Sequence, residues 1–397
     1  MDSSFRELLD LVLRWLHVIA GIMWVGNSLL FNWLDRNLQK REGKPKEHIG
    51  DIWLLHSGAF YEVEKKMLAP GKMPDVLHWF KWQSYTTWLS GISLLIVVYY
   101  MGDGSYLVEA GGKYSVDVAK DVGLGLLFLG FGVYDLLWRI IGKRAERLAH
   151  ALSIGLLVAV VFIATHVFSG RAAYIHVGAV IGTCMAGNVF FHIIPSQREL
   201  VAATQSGREQ EMSFSVRAKQ RSIHNNYLTF PLLFLMVSNH FPSSYGSTKS
   251  AFVLLFLIVI GAGIRHVLNI RFDFKAWPLA FTTVLVIGIV GTGWFFGIRK
   301  GGSAAGTQVE RVAFSRVQLV IRDRCSPCHA EHPTDPTVQT APNGVMFDTP
   351  EQIKAYSDRI KARAVISKTM PQGNKTGITE EERDLLGKWI LGGANIQ

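Results

Sequence analysis

The sequence predicts an all-α protein: an eight-helix transmembrane bundle in residues 1–300, followed by a small soluble helical domain in residues 301–397. Three observations predict it. Hydrophobic residues make up 49% of the 397 positions and charged residues only 18%, a membrane-like balance for a chain that also carries a polar tail. Eight apolar stretches precede residue 300, most of them near the ~20 residues a helix needs to cross hydrocarbon. Beyond residue 300, apolar residues at Val312, Val317, Val320 and Ile321, and again at Leu385, Leu386, Trp389 and Ile390, recur with helical spacing on a polar background.

The eight stretches fall near 11–34, 84–101, 121–141, 148–168, 172–194, 227–239, 251–270 and 277–298. The sixth is short, and Pro231 inside it predicts a kink or an early end. Lys and Arg crowd alternate connections, between Arg36 and Lys81, around Arg139–Arg147, between Arg198 and Arg221, and around Arg271 and Lys275. The positive-inside rule makes these loops cytoplasmic and puts both termini outside. In a bacterial inner membrane the tail is then periplasmic, exported by the last helix without a separate cleavable signal. The formal charge of +10 arises in the same loops, because Lys+Arg and Asp+Glu nearly balance in 301–397, so nucleic-acid binding is a poor reading.

The two halves of the bundle look alike. Helix one carries His17-Val18-Ile19-Ala20 and then Gly26-Asn27, helix five His176-Val177-Gly178-Ala179 and then Gly187-Asn188; the helices that follow begin Tyr85-Thr86-Thr87-Trp88 and Tyr227-Leu228-Thr229-Phe230. Both copies start outside, so a four-plus-four parallel repeat fits. Asn27 and Asn188 read as packing and hydrogen-bonding residues.

Ionisable residues inside spans are costly and usually functional. His17, His166 and His176 fall in outer halves, His192, His224 and His266 toward inner ends. A pair from the outer set, His17 with His176 or His166, suits ligation of a b-type haem between helices; neutral histidines donating interhelical hydrogen bonds are the other reading. The first cytoplasmic loop mixes Trp53, Phe60, Tyr61, Trp79 and Trp82 with His56, His78, Lys65, Lys66 and Lys81. That mixture suits a flat anionic substrate, by stacking and charge pairing, and it equally suits a membrane-interface hairpin with belt aromatics and snorkelling lysines. The runs Arg139–Arg147 and Arg217–Arg221 read as solvated topology determinants.

In the tail, Cys325-Ser326-Pro327-Cys328-His329 is the attachment pentapeptide of a c-type haem: two thiols form thioethers to the porphyrin and the adjacent imidazole becomes an iron ligand. A zinc site would need a second pair of ligands, and the remaining cysteine, Cys184, lies far upstream in an apolar segment. Met370, followed by Pro371 and then by a helix with Thr379 as N-cap and Glu382 as capping-box acid, is favoured over Met346 as the sixth ligand. With these features the tail resembles a class I cytochrome c domain over residues 308–397.

Leu16-His17-Val18-Ile19-Ala20-Gly21-Ile22-Met23-Trp24-Val25-Gly26-Asn27, His78-Trp79-Phe80-Lys81-Trp82, the eight spans and the haem-binding tail together resemble the bacterial membrane-bound urate oxidases, or urate hydroxylases. The resemblance implies oxidation of urate to 5-hydroxyisourate in purine catabolism, with electrons passing through the fused cytochrome to a respiratory cytochrome c oxidase or another acceptor. The opening of helix one is also similar to the membrane-embedded bacterial protoporphyrinogen oxidases, whose corresponding histidine is linked to haem binding, which favours His17 as a haem ligand. Urate is a planar monoanion, and its oxidation calls for a base and for cationic partners: His78 or His224 as base, Lys65, Lys81 or Arg265 as anion partners. Two other classes fit parts of the chain: an electron-transfer cytochrome subunit or quinol-linked membrane anchor without urate chemistry, and a transporter.

Overall fold

The computed structural model describes residues 3–101, 104, 106–109, 112–246, 249–296 and 312–396. The elements run α1 (Ser3–Asn37), β1 (His48–His56), β2 (Ala59–Lys66), α2 (Lys81–Leu95), α3 (Val116–Ile140), α4 (Glu146–Val167), α5 (Gly170–Asn188), α6 (Ile194–Gln205), α7 (Met212–Val237), a short α8 (Pro242–Tyr245), α9 (Ser250–Ile270), α10 (Trp277–Phe295), α11 (Phe314–Arg324), α12 (Pro350–Ala355), α13 (Ser357–Ile360) and α14 (Glu380–Leu391). The boundary expected at residue 300 and the start of the tail helix expected at 308 lie outside the described residues.

Among the described residues five helices are long and apolar enough to cross a membrane: Phe5–Asn37, Glu146–Val167, Gly170–Gln205, Ser250–Ile270 and Trp277–Phe295. The other three expected spans are helical as well, but each is more polar or shorter. α2 reaches useful length only through a π-helical turn at Ile96–Tyr100, α3 carries Asp135 and Arg139, and α7 starts at Met212, so Arg217, Lys219 and Arg221 lie on the helix rather than in a loop. Pro231 does not end α7, which continues to Val237. Gly261 on α9 faces the proline closely: a Cβ there would lie 3.1 Å from the Pro231 nitrogen, so a larger residue would push the two helices apart by a few tenths of an ångström.

α5 is the central column. Tyr174, His176, Val177 and Ile181 are buried, and they pack with Leu127, Val161, Leu235 and Leu254 from α3, α4, α7 and α9. Its small residues make the approach possible, as expected where van der Waals packing holds helices together in lipid: a Cβ on Gly187 would fall 2.3 Å from the Phe131 ring. At the periphery, α10 shows Leu279, Ile289 and Val290 to the outside, the surface a lipid tail would cover.

The two asparagines singled out in the sequence make similar bonds. Asn27 donates to Gln83 Oε1 at 2.7 Å, tying α1 to α2, and Asn188 donates to Asn225 Oδ1 at 2.9 Å, tying α5 to α7. Each acceptor stands two residues before the matching tyrosine, Tyr85 or Tyr227.

The all-α expectation fails in the first long loop, where β1 and β2 form an antiparallel hairpin pairing Leu55 with Phe60 and Trp53 with Glu62. Ser57 and Gly58 turn the corner with φ of 51° and 77°, the doubly positive geometry of a tight hairpin turn. Asp51 is buried at its base against Arg41, 2.9 Å away.

The tail has its own core, Val317, Val320 and Ile321 of α11 against Ile353, Leu386 and Trp389. It sits at the end of the bundle where α1 begins. Residues Pro336–Pro342 face Arg6, Asp10, Arg14 and Arg171 across a cavity of about 730 Å³, and a Cβ on Gly246 would meet the Ser367 carbonyl oxygen at 2.2 Å.

Candidate functional site

A cavity of about 340 Å³ opens at the other end of the bundle, within the size range of small-molecule sites. Trp24, Asn27, Ser28 and Phe31 of α1 form one wall, the segment Leu77–Lys81 with Gln83 and Ser84 of α2 a second, and Val189, Ile193 and Gln197 a third. The last wall exists because α5 passes through a π-helical turn, Val189–Ile193, before continuing as α6; such turns re-aim side chains and recur at functional sites. Phe31 and Phe80 meet edge to face with centroids 5.2 Å apart. Lys81 Nζ stands 5.6 Å from the ring centres of both Trp79 and Trp82. The cavity thus offers aromatic faces, one cation, one imidazole and the amides of Asn27, Gln83 and Gln197, which is what a flat, carbonyl-rich anion needs.

The expected catalytic residues separate into four places. His78 and Lys81 line this cavity. Lys65 is on the hairpin, paired with Asp35 at 2.6 Å. His224 is inside the bundle, bonded through Nδ1 to the Tyr134 hydroxyl at 2.7 Å and lying 4.2 Å from the Trp138 ring. Arg265 is buried between α1, α7 and α9, where its Nε donates to Asn226 Oδ1 at 3.1 Å.

Arg221 is not a solvated topology determinant. It is 1% exposed and holds Asp135 Oδ1 at 2.9 Å, while His192 Nε2 meets the same oxygen at 2.5 Å and Arg139 Nε takes Oδ2 at 2.6 Å. Asp135 and Arg221 are far apart in sequence, so their separate charges inside helices were the available signal, and the pairing itself was not legible.

The outer histidines do not assemble into one site. His17 donates through Nδ1 to the Thr87 carbonyl oxygen at 2.8 Å and packs on Gly91. His176 donates through Nδ1 to the Ala172 carbonyl at 2.7 Å, and its Nε2 meets the Tyr100 hydroxyl at 3.0 Å. Gly91 and Tyr100, the α2-segment residues that His17 and His176 touch, are separated along one continuous helical segment by roughly 13 Å at 1.5 Å per residue. His166 is exposed and packs edge to face with Tyr114.

The tail residues do fit a covalently attached haem. The Cys328 and His329 amides both donate to the Cys325 carbonyl, at 3.2 and 3.0 Å, folding the pentapeptide into one turn at the end of α11. Both cysteines are free, and burial pushes the Cys325 thiol up to about 12, keeping it neutral. His329 donates from Nδ1 to the Val345 carbonyl at 2.9 Å, the outer bond that typically fixes an imidazole's tautomer and leaves Nε2 for a metal. Met370 is held by its backbone: its amide donates to the Arg363 carbonyl at 3.1 Å and its carbonyl accepts from Arg383 at 2.8 Å. Thr379 and Glu382 form the expected capping box of α14.

No curated relative and no solved structure matches the chain. The urate oxidase N-terminal family does match, over residues 3–294, which take in every bundle helix and the whole cavity lining; the chain belongs to that family.

Proposed function

We propose that the protein is a membrane-bound urate oxidase that converts urate to 5-hydroxyisourate and sends the electrons out through a c-type haem on its tail. The family match over residues 3–294 carries this reading. The cavity supports it: Trp79 and Phe80 supply faces for a purine, Lys81 offsets the urate charge, and the amides of Asn27, Gln83 and Gln197 satisfy ring carbonyls and N–H groups. His78 accepts the proton released as water adds at C5. In balance, urate and one water give 5-hydroxyisourate, two protons and two electrons.

Cys325, Cys328, His329 and Met370 would hold a haem, which would supply one-electron redox chemistry between urate and a respiratory acceptor. The cavity and the tail lie toward opposite ends of α1: Ser28 and Arg14, which line the two cavities, are roughly 20 Å apart at 1.5 Å per residue. In this reading substrate binds on the inner side and the tail, docked where α1 begins, faces the periplasm; the crowding of Lys and Arg in alternate connections supports that orientation.

Anaerobic addition of urate to the oxidised, haem-loaded protein, followed in the visible spectrum, tests the proposal. Reduced c-haem bands are expected. Intact haem-loaded protein that stays oxidised would instead make the chain an electron-carrying subunit without urate chemistry.

A further inference from the structure

Arg265 is 6% exposed, and among the described residues none of its contacts is to a carboxylate. Its Nε donates to Asn226 Oδ1 at 3.1 Å, its Nη2 to Asn32 Oδ1 at 3.3 Å, and its guanidinium lies 5.5 Å from the Phe230 ring centre. The amides do not satisfy each other fully: Asn226 Oδ1 also accepts from Asn269 at 2.7 Å, and Asn269 Oδ1 is buried without a partner. Two further guanidinium groups flank it: Arg36 stands one turn beyond Asn32 on the same face of α1, and Arg271 caps α9 six residues beyond Arg265. The acid near them, Asp273, is 83% exposed and 3.7 Å from Arg36. A buried cation held by neutral dipoles and pressed by two like charges is expensive unless an anion completes it.

We propose that Arg265, with Arg36 and Arg271, forms a binding site for a phosphate group, carried by an anionic phospholipid headgroup or present as free phosphate. Guanidinium forks match phosphate oxygens bidentately, and basic pockets between membrane helices are typical headgroup sites. Arg36 and Arg271 are less buried than Arg265, so the charge extends from the interior to the surface. Phe272 and Phe274 are exposed beside them, and Leu279 at the start of α10 is exposed as well, so a place for acyl chains adjoins the place for the charge. Urate is the less suitable anion, because Arg265 is absent from the wall of the aromatic cavity and three cations exceed what a monoanion needs.

The test uses the full-length, haem-loaded protein in nanodiscs of phosphatidylcholine doped with phosphatidylglycerol, with retained lipid read by native mass spectrometry. Wild type should keep phosphatidylglycerol in preference to phosphatidylcholine, and R265Q should lose that preference by about tenfold, the worth of a charged hydrogen-bonded contact. The surface double variant R36Q/R271Q should weaken it while the haem spectrum stays intact, which keeps the test open if R265Q does not fold. Thermal protection by millimolar inorganic phosphate that is lost with the arginines, without lipid selectivity, would assign the site to free phosphate. Equal lipid retention and equal phosphate response in wild type and variants overturns the proposal, as does protection by urate in place of phosphate.

Discussion

Asn27 donates to Gln83 Oε1 at 2.7 Å across the wall of the aromatic cavity, and both residues line it. The bond joins α1 to α2 and holds two amides in fixed orientation where a purine would meet them. N27L should destabilise the protein by about 1 kcal/mol, because Gln83 is left without its donor. The double variant N27L/Q83L should melt closer to wild type than N27L does, since no polar group is stranded. Thermal unfolding in detergent measures both, and strictly additive losses would remove the pair as a structural tie.

Lys81 and His78 share the cavity but have different tasks, and steady-state kinetics separates them. K81Q should raise KM for urate about tenfold with little change in kcat, the mark of a contact made equally to bound substrate and transition state. H78Q should instead lower kcat by about a hundredfold, the usual scale for losing a general base. Urate-dependent reduction of an added acceptor is the readout. A K81Q enzyme with unchanged KM would move the anion partner elsewhere.

Met370 is tied through its backbone to Arg363 and Arg383, which positions its thioether independently of the iron. M370A should therefore fold and keep its covalent haem but lose the sulfur-to-iron charge-transfer absorption, whereas M346A should keep that band. H329A should abolish the native low-spin spectrum, because the Nδ1 bond to Val345 serves to present Nε2.

Helices and haem pentapeptide were legible because each is a local pattern: apolar runs, a capping box, five consecutive residues. The hairpin was legible in part. Ser57-Gly58 between two aromatic-rich runs is a turn signal, yet of the strand residues only Gly50 and Asp51 are buried, so the usual alternation of core and surface is missing. The cavity was half legible, since His78 and Lys81 sit in one motif, but its third wall comes from the π-helical turn at Val189–Ile193, a register change that hydrophobicity does not encode. Arg221 was misread because charge runs near span ends ordinarily meet solvent, and only the fold brings Asp135 to it.

Asp335 makes the tail sensitive to acid. Burial alone would raise its carboxyl, but donors outweigh that: Thr337 gives its amide at 2.9 Å and its hydroxyl at 2.6 Å, and Lys375 gives its ammonium at 3.0 Å, leaving the group below the usual carboxylate range. A depressed folded-state value means the contribution is fully present above the unfolded value of about 3.9 and fades as pH falls through the folded one. D335N should remove that part of the acid limb, measured as tail unfolding by loss of the haem Soret band between neutral pH and pH 2. An unchanged acid limb would place the sensitivity in other carboxylates.

Asp135 is the shared partner of Arg221, His192 and Arg139 inside the bundle. Arg221 also lies over the Tyr134 and Trp138 rings, 5.0 and 5.9 Å from their centres, so it cannot leave without unpacking α3 from α7. D135N keeps the shape and removes the charge, which strands a buried guanidinium; the expected cost is about 3 kcal/mol or more, read as loss of folded, haem-loaded protein from membranes. Replacing Asp135 and Arg221 by apolar residues of similar volume, D135L/R221M, should recover part of that loss, because the guanidinium is no longer stranded although the buried His192 still loses its partner. If the double variant accumulates normally but oxidises urate poorly, the cluster serves the reaction as well as the fold; if D135N alone accumulates like wild type, the cluster does not hold the bundle together.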